Sequence, residues 1–200
     1  MLKKWIQEYI NAQMTILESF PAEKVMELIE VLKMANLEGR QVFVFGNGGS
    51  AANASHFITD LGKSVAGTGI KKFKCRSMNE SDAWMTAIGN DFSYEHLFCK
   101  QLENCTNSGD IILVMSVSGT SPNILKAVEW SKSNGLYVIA LVGQKETPLT
   151  SLADQIISIP DHHYGRVEDT HMLICHVLAY AFIENPDLIQ QSDFTYNECI

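Results

Sequence analysis

Five times between Gln41 and Glu184 a short run rich in β-branched and apolar residues gives way to Gly, Ser or Asn and then to a stretch of helical periodicity. The runs are Gln41 to Phe45, Phe73 to Met78, Ile111 to Val117, Leu136 to Val142 and Gln155 to Ile159. The helical stretches cover Ser50 to Lys63, Ser81 to Ile88, Tyr94 to Glu103, Pro122 to Ser133 and Val167 to Glu184. Strands that are apolar throughout need cover on both faces, and alternation with helices makes their sheet parallel. The pattern predicts an α/β fold, a three-layer sandwich around a doubly wound parallel five-stranded sheet. In such sheets ligands bind beyond the carboxyl ends of the strands.

Ahead of this core, Leu2, Trp5, Ile6, Tyr9, Ile10, Ile16, Leu17 and Phe20 recur mostly at three- and four-residue steps, which predicts an amphipathic helix closed by Pro21. A second helix is expected from Ala22 to Leu37, with Gly39 ending it. The 200 residues therefore read as one domain: a helical segment over about 1–38, an α/β core over about 40–184 and a polar tail over 185–200. Apolar residues on the N-terminal helices, Trp5 among them, are accounted for equally by self-association and by packing onto the core.

A formal charge of −8 with 19% charged residues argues against an extended grip on nucleic acid or an anionic membrane. The opening MLKKWIQEYI lacks the continuous apolar region of a secretory signal. The longest apolar stretch, Met172 to Ile183, is broken by His176 and falls short of the roughly 20 residues of a membrane span. Cys75, Cys99, Cys105, Cys175 and Cys199 form no CxxC pair and no even framework. That usage fits reduced thiols, and a cytoplasmic protein is expected.

Two loops are suited to an anion. Gly46-Asn47-Gly48-Gly49-Ser50 joins the strand VFVF to a helix, where glycines let several N–H groups converge and the helix end adds a positive dipole. It is neither a Walker loop nor a dinucleotide fingerprint, and a plain turn with Ser50 as N-cap is the simpler alternative. Ser116-Val117-Ser118-Gly119-Thr120-Ser121-Pro122-Asn123 follows IILVM and offers four hydroxyls within six residues, with Pro122 suited to the first helical turn.

Chemistry-bearing residues gather on two helices. His56 and Asp60 are four apart on the helix that the first loop opens, as an oriented His, two metal ligands, an acid/base pair or a surface ion pair would be. RVEDTHMLICHVL carries Glu168, Asp169, His171 and His176, the last set among apolar neighbours. Asp169 is nearly in line with His176, whereas Glu168 lies about 80° round the helix with a longer reach. His162, His163 and Arg166 precede that helix or start it, and Asn90-Asp91 follows a short helix as a sugar-binding pair or an ordinary turn.

The segments GNGGSAANASHF, AIGND, SVSGTSPN and RVEDTHMLICH, in this order, resemble the sugar-isomerase (SIS) domain proteins of the sedoheptulose 7-phosphate isomerase group, over about Leu2 to Ile183. The resemblance implies phosphate binding by Asn47, Gly48, Gly49, Ser50, Ser116, Val117, Ser118 and Ser121, and sugar contacts from Asn90, Asp91 and Glu168. It implies a catalytic site of Asp60, Glu168 and His176, where zinc is held by His56, Asp60, Glu168 and His176, and assembly as a homotetramer. Three departures stand out: Asp60 where the group has glutamate, Glu168 where it has glutamine, and Val117 where it has threonine. The base is then Asp60 or, if the two exchange roles, Glu168.

The implied activity is aldose–ketose isomerisation of a heptose 7-phosphate through an enediolate, feeding surface polysaccharide precursors. A carboxylate takes the proton beside the carbonyl and His176 exchanges protons with the sugar oxygens. The alternative is a non-catalytic adaptor of the same fold that binds a protein partner such as the replication initiator; that group lacks the late-helix histidine. A sugar-phosphate-sensing transcription factor would need a basic helix-turn-helix, which the N-terminal forty residues do not resemble.

Overall fold

A computed structural model describes residues 1–143 and 146–189, with the backbone alone at 64 and 66. Its sheet holds five parallel strands, β1 (Gln41–Gly46), β2 (Lys74–Ser77), β3 (Ile111–Ser116), β4 (Tyr137–Val142) and β5 (Gln155–Ser158), in the order β2-β1-β3-β4-β5. The chain steps outward from β1 to β2, then crosses back to lay β3 on the other side of β1. The order therefore reverses between β1 and β3, which opens a crevice at their carboxyl ends. Gly46 opposite Met115 is the last pair of that ladder.

The faces of the central strands divide the core. Val42, Val44, Ile111, Leu113 and Met115 pack toward α2 (Ala22–Glu38), α3 (Gly49–Thr59) and α8 (Tyr164–Glu184). Phe43, Phe45, Ile112 and Val114 pack toward α5 (Cys99–Cys105), α6 (Pro122–Ser133) and the short α7 (Pro148–Leu152). Every residue of β3 is buried, as a strand covered on both faces requires. β2 is shorter than Phe73 to Met78: the flanking Phe73 and Met78 are buried outside the paired register, Met78 N–H still donating to Val44 O at 2.9 Å, and Lys74 and Arg76 lie exposed along the edge.

The N-terminal helices α1 (Leu2–Glu18) and α2 form as expected, and Gly39 ends α2 at φ 74°. Along α1 only Ile16 is buried. α3 stops at Thr59 rather than continuing to Lys63, because Asp60–Ser64 widens into a π-helical turn. α4 (Asp82–Asp91) runs beyond Ile88 to take in Asn90 and Asp91, so that pair ends the helix instead of following it. Of the polar tail, Pro186–Leu188 forms a 3-10 turn and Ile189 packs into the core; the remainder, Cys199 included, lies outside the described residues. The four cysteines within them are free thiols. Among the described residues no helix is long and apolar enough to cross a membrane.

Candidate active site

Both glycine- and serine-rich loops emerge at the β1/β3 crevice. In the first, Gly48 rather than Ser50 is the N-cap of α3, with no side-chain cap, so the helix end is left to its backbone and to what approaches it. What approaches is Glu168: its carboxylate lies against Gly49 so closely that a Cβ there would collide with it. Burial and the neighbouring Asp169 raise the Glu168 carboxyl above the ordinary range, while the Ser50 backbone N–H favours its charged form. Asn79 holds the strand end from below, accepting from Gly46 N–H at 3.3 Å and donating to Gly46 O at 3.0 Å.

The second loop is folded on itself. Ser116 Oγ accepts from Gly119 N–H at 3.1 Å, Ser118 Oγ from Thr120 N–H at 3.4 Å, and Ser121 caps α6 with Pro122 at its first position. The Val117 side chain is 6% exposed within the core and its carbonyl accepts from Gly143 N–H at 3.1 Å, which leaves its backbone N–H as the group it could offer a ligand. Gly119, at φ 64°, presses against the Thr147 side chain, which caps α7.

From the loops two helices run side by side. Glu168 of α8 meets Gly49 of α3, Asn53 Nδ2 donates to Glu168 O at 2.9 Å, and two turns further His56 meets His176. There His56 Nε2 stands 3.1 Å from His176 Nε2 and 3.2 Å from Asp60 Oδ2, and His176 Nε2 stands 3.7 Å from Asp60 Oδ2. The three donor atoms form a compact, partly exposed triangle within 4.8 Å of one another. Asp60 begins the π-helical turn, a local widening that often accompanies functional sites.

Glu168, expected as a fourth ligand, lies outside this triangle. Eight residues before His176, it sits about 12 Å along the axis and 80° round it, and its carboxylate is drawn to the α3 N-terminus. Two imidazoles and a carboxylate suit a small divalent cation. A tetrahedral ion with bonds of about 2.0–2.1 Å sets its ligands about 3.3–3.4 Å apart, close to the three observed edges.

Comparison with known proteins shows the family of the chain. Residues 5–143 match the SIS domain family. The phosphoheptose isomerase of Thermodesulfovibrio yellowstonii is 33% identical over 78% of this chain and 77% of that protein. The chain belongs to the phosphoheptose isomerase family of SIS-domain proteins. The phosphoheptose isomerase of Aneurinibacillus thermoaerophilus is 32% identical over 92% of both chains. The solved phosphoheptose isomerase of Neisseria gonorrhoeae superposes with a TM-score of 0.83 at 24% identity, covering 92% of this chain and all of that one, a likeness of fold.

For a SIS-domain chain, the contacts that the sequence did not reveal are those that shape the loops. Asn47 and Asn123 exchange hydrogen bonds across the crevice, and Tyr94, three residues beyond Asp91, donates its hydroxyl to Asn47 Oδ1 at 3.3 Å. Asn90 donates to Asp91 Oδ1 at 2.9 Å. At the start of α8, Arg166 grips Asp161 through two bonds of 2.7 and 2.9 Å and lies over the Tyr9 ring of α1. The guanidinium holds the Asp161 carboxyl down to about 2. A separate cavity of about 430 Å³ opens beside β2, lined by Arg76, Glu80, Ser81, Trp84 and Asn104, and none of the site residues lines it.

Proposed function

We infer that this SIS-domain chain is a heptose 7-phosphate aldose–ketose isomerase, taking sedoheptulose 7-phosphate as substrate and supplying precursors of surface polysaccharide. One observation carries the reading. The His56/Asp60/His176 triangle stands two helical turns, about 10 Å, along α3 and α8 from the first anion loop, and the second loop opens at the same β1/β3 crevice before leading into α6. An extended seven-carbon chain with a terminal phosphate, built from bonds of about 1.5 Å, is of that length. Phosphate held at one end by Asn47, Gly48, Gly49, Ser50, Ser116, Ser118 and Ser121 would bring the carbonyl end to the triangle. That remote binding supplies orientation at the reacting carbons.

Asp60 is the better-placed base. Its Oδ2 faces both imidazoles, leaving Oδ1 to take the proton from the carbon beside the carbonyl, while His176 passes protons between the sugar oxygens. Glu168, at the loop end, lies far from those carbons; Asn90 and Asp91 hold sugar hydroxyls. His56, Asp60 and His176 would hold zinc, which when bound supplies Lewis acidity toward the sugar oxygens. A protein that only bound a partner would have no use for this donor triangle. The chain works in the cytoplasm as a single-domain subunit of a homotetramer.

The test is to incubate the protein with sedoheptulose 7-phosphate, with and without added zinc, and follow aldose formation. Asp60→Asn should lower turnover by about 10²–10⁴, the usual contribution of a positioned acid or base, while Glu168→Gln stays within about tenfold of the unaltered protein. The reverse order would make Glu168 the base, and no conversion with any protein would end the isomerase reading.

A further inference from the structure

Beyond Gly46 and Met115 the two loops part company, one turning to α3 on one face of the sheet and the other to α6 on the opposite face. A ligand gripped by both needs them held at a fixed separation, and the ladder has ended. What bridges the gap is a pair of carboxamides 76 residues apart. Asn47 Nδ2 donates to Asn123 Oδ1 at 2.9 Å, and Asn123 Nδ2 donates back to Asn47 Oδ1 at 2.9 Å. Asn123 is 1% exposed, and its Oδ1 also accepts from the Ile124 N–H at 3.0 Å, which fixes the amide's orientation at the start of α6. Asn47 Oδ1 receives a second donor from Tyr94.

A carboxamide oxygen has two acceptor sites, so both oxygens of the pair are fully used. Asn47 is thus spent largely on the bridge, and its remaining side-chain capacity toward a ligand is one N–H. Asn123 is walled off from solvent and has no direct contact to offer. Its cost of burial is met by the bonds it makes, and those bonds rigidify two segments that are otherwise independent.

We propose that Asn123 is a positioning residue for the substrate phosphate: through Asn47 it locks the first loop to the second, so that both close on one anion without reorganisation. The proposal rests on the two-loop phosphate site of the isomerase reading. Preorganisation of this kind lowers the cost of binding and leaves the chemical step, two helical turns away, largely untouched.

The experiment compares the unaltered protein with Asn123→Ala, Asn47→Ala, the double variant and Asn123→Ser, which keeps an acceptor for Ile124 but cannot reach Asn47. Two quantities are read: the dissociation constant for inorganic phosphate by calorimetry, and KM and kcat for sedoheptulose 7-phosphate. Asn123→Ala and Asn123→Ser should weaken phosphate and raise KM about tenfold with kcat within about threefold, Asn47→Ala, which also loses its own N–H to the ligand, should weaken phosphate at least as much, and the double variant should be no worse than Asn47→Ala alone, as coupled partners require. A phosphate constant unchanged within twofold in both Asn123 variants would overturn the proposal. So would losses that multiply in the double variant, a kcat effect without a KM effect, or an unaltered protein that does not bind phosphate. Phosphate binding without turnover would remove the isomerase reading, and the bridge would still be judged on the phosphate constants.

Discussion

His171 is fully buried in α8, and neither ring nitrogen has a hydrogen-bond partner. Burial holds its pKa down to about 4, against an ordinary 6.5; the Val142 carbonyl lies near enough to oppose this in part without forming a well-made hydrogen bond. A histidine whose folded pKa is depressed stabilises the fold fully above 6.5 and progressively less as the pH falls toward 4. From 1.36 kcal/mol per unit, the loss between neutrality and pH 5 is about 2 kcal/mol. Urea unfolding at pH 7 and pH 5 should show that loss in the unaltered protein and a smaller one in His171→Leu; equal losses would clear His171 of the effect. In the sequence this residue looked like its neighbours, because burial is set by which face of α8 meets the sheet. His56 and Asp60 were legible because both partners lie on one helix turn. Glu168 was legible as a candidate but not its direction, which depends on the α3 N-terminus 119 residues earlier. Asn123 was invisible as a bridge, since nothing local names a partner 76 residues away.

At the level of elements, the strand–helix alternation was sufficient for the architecture, and α6 ran from Pro122 to Ser133 as expected because a proline in its first turn marks its start. Boundaries failed where tertiary contacts decide them. α8 begins at Tyr164, before Val167, where Arg166 is pinned by Asp161 and Tyr9. α3 ends early at a π-helical turn, which has no signature in hydrophobic spacing. The second loop is likewise shaped from outside: Gly119 adopts φ 64° with Thr147 against it, and Leu149 N–H donates to its carbonyl at 3.2 Å. A methyl group there meets both a disfavoured backbone region and the Thr147 side chain. Gly119→Ala should therefore cost about 1–3 kcal/mol in denaturant unfolding and weaken phosphate binding. Gly67→Ala, at a position with open space and no left-handed backbone, is the control and should change stability by less than about 0.5 kcal/mol. Equal costs at the two positions would refute the steric account.

On the scale of the whole molecule, α1 is the element least satisfied by its own chain. Leu2, Trp5, Ile6, Ile10, Met14 and Leu17 are all exposed, while Gln13 donating to Thr170 and the Tyr9 contacts hold the helix to α8. Met26 and Met34 on α2 and Leu173 and Tyr180 on α8 extend the exposed apolar surface. Burying a large apolar side chain is worth about 1.5–3 kcal/mol, so six of them on one helix form a surface that water does not favour. A second copy of the chain offers the same surface, and helix-on-helix pairing of α1 would cover it without leaving backbone groups unpaired. The net charge of −8 opposes association only over the screened distances that salt shortens. On the proposed homotetramer, light scattering on the unaltered protein should give four times the 22.3 kDa chain mass, and Trp5→Lys with Ile10→Glu should give a smaller multiple with the helical content intact. A mass of 22.3 kDa for the unaltered protein, or an unchanged mass for the double variant, would mean that α1 is not the surface on which the subunits meet.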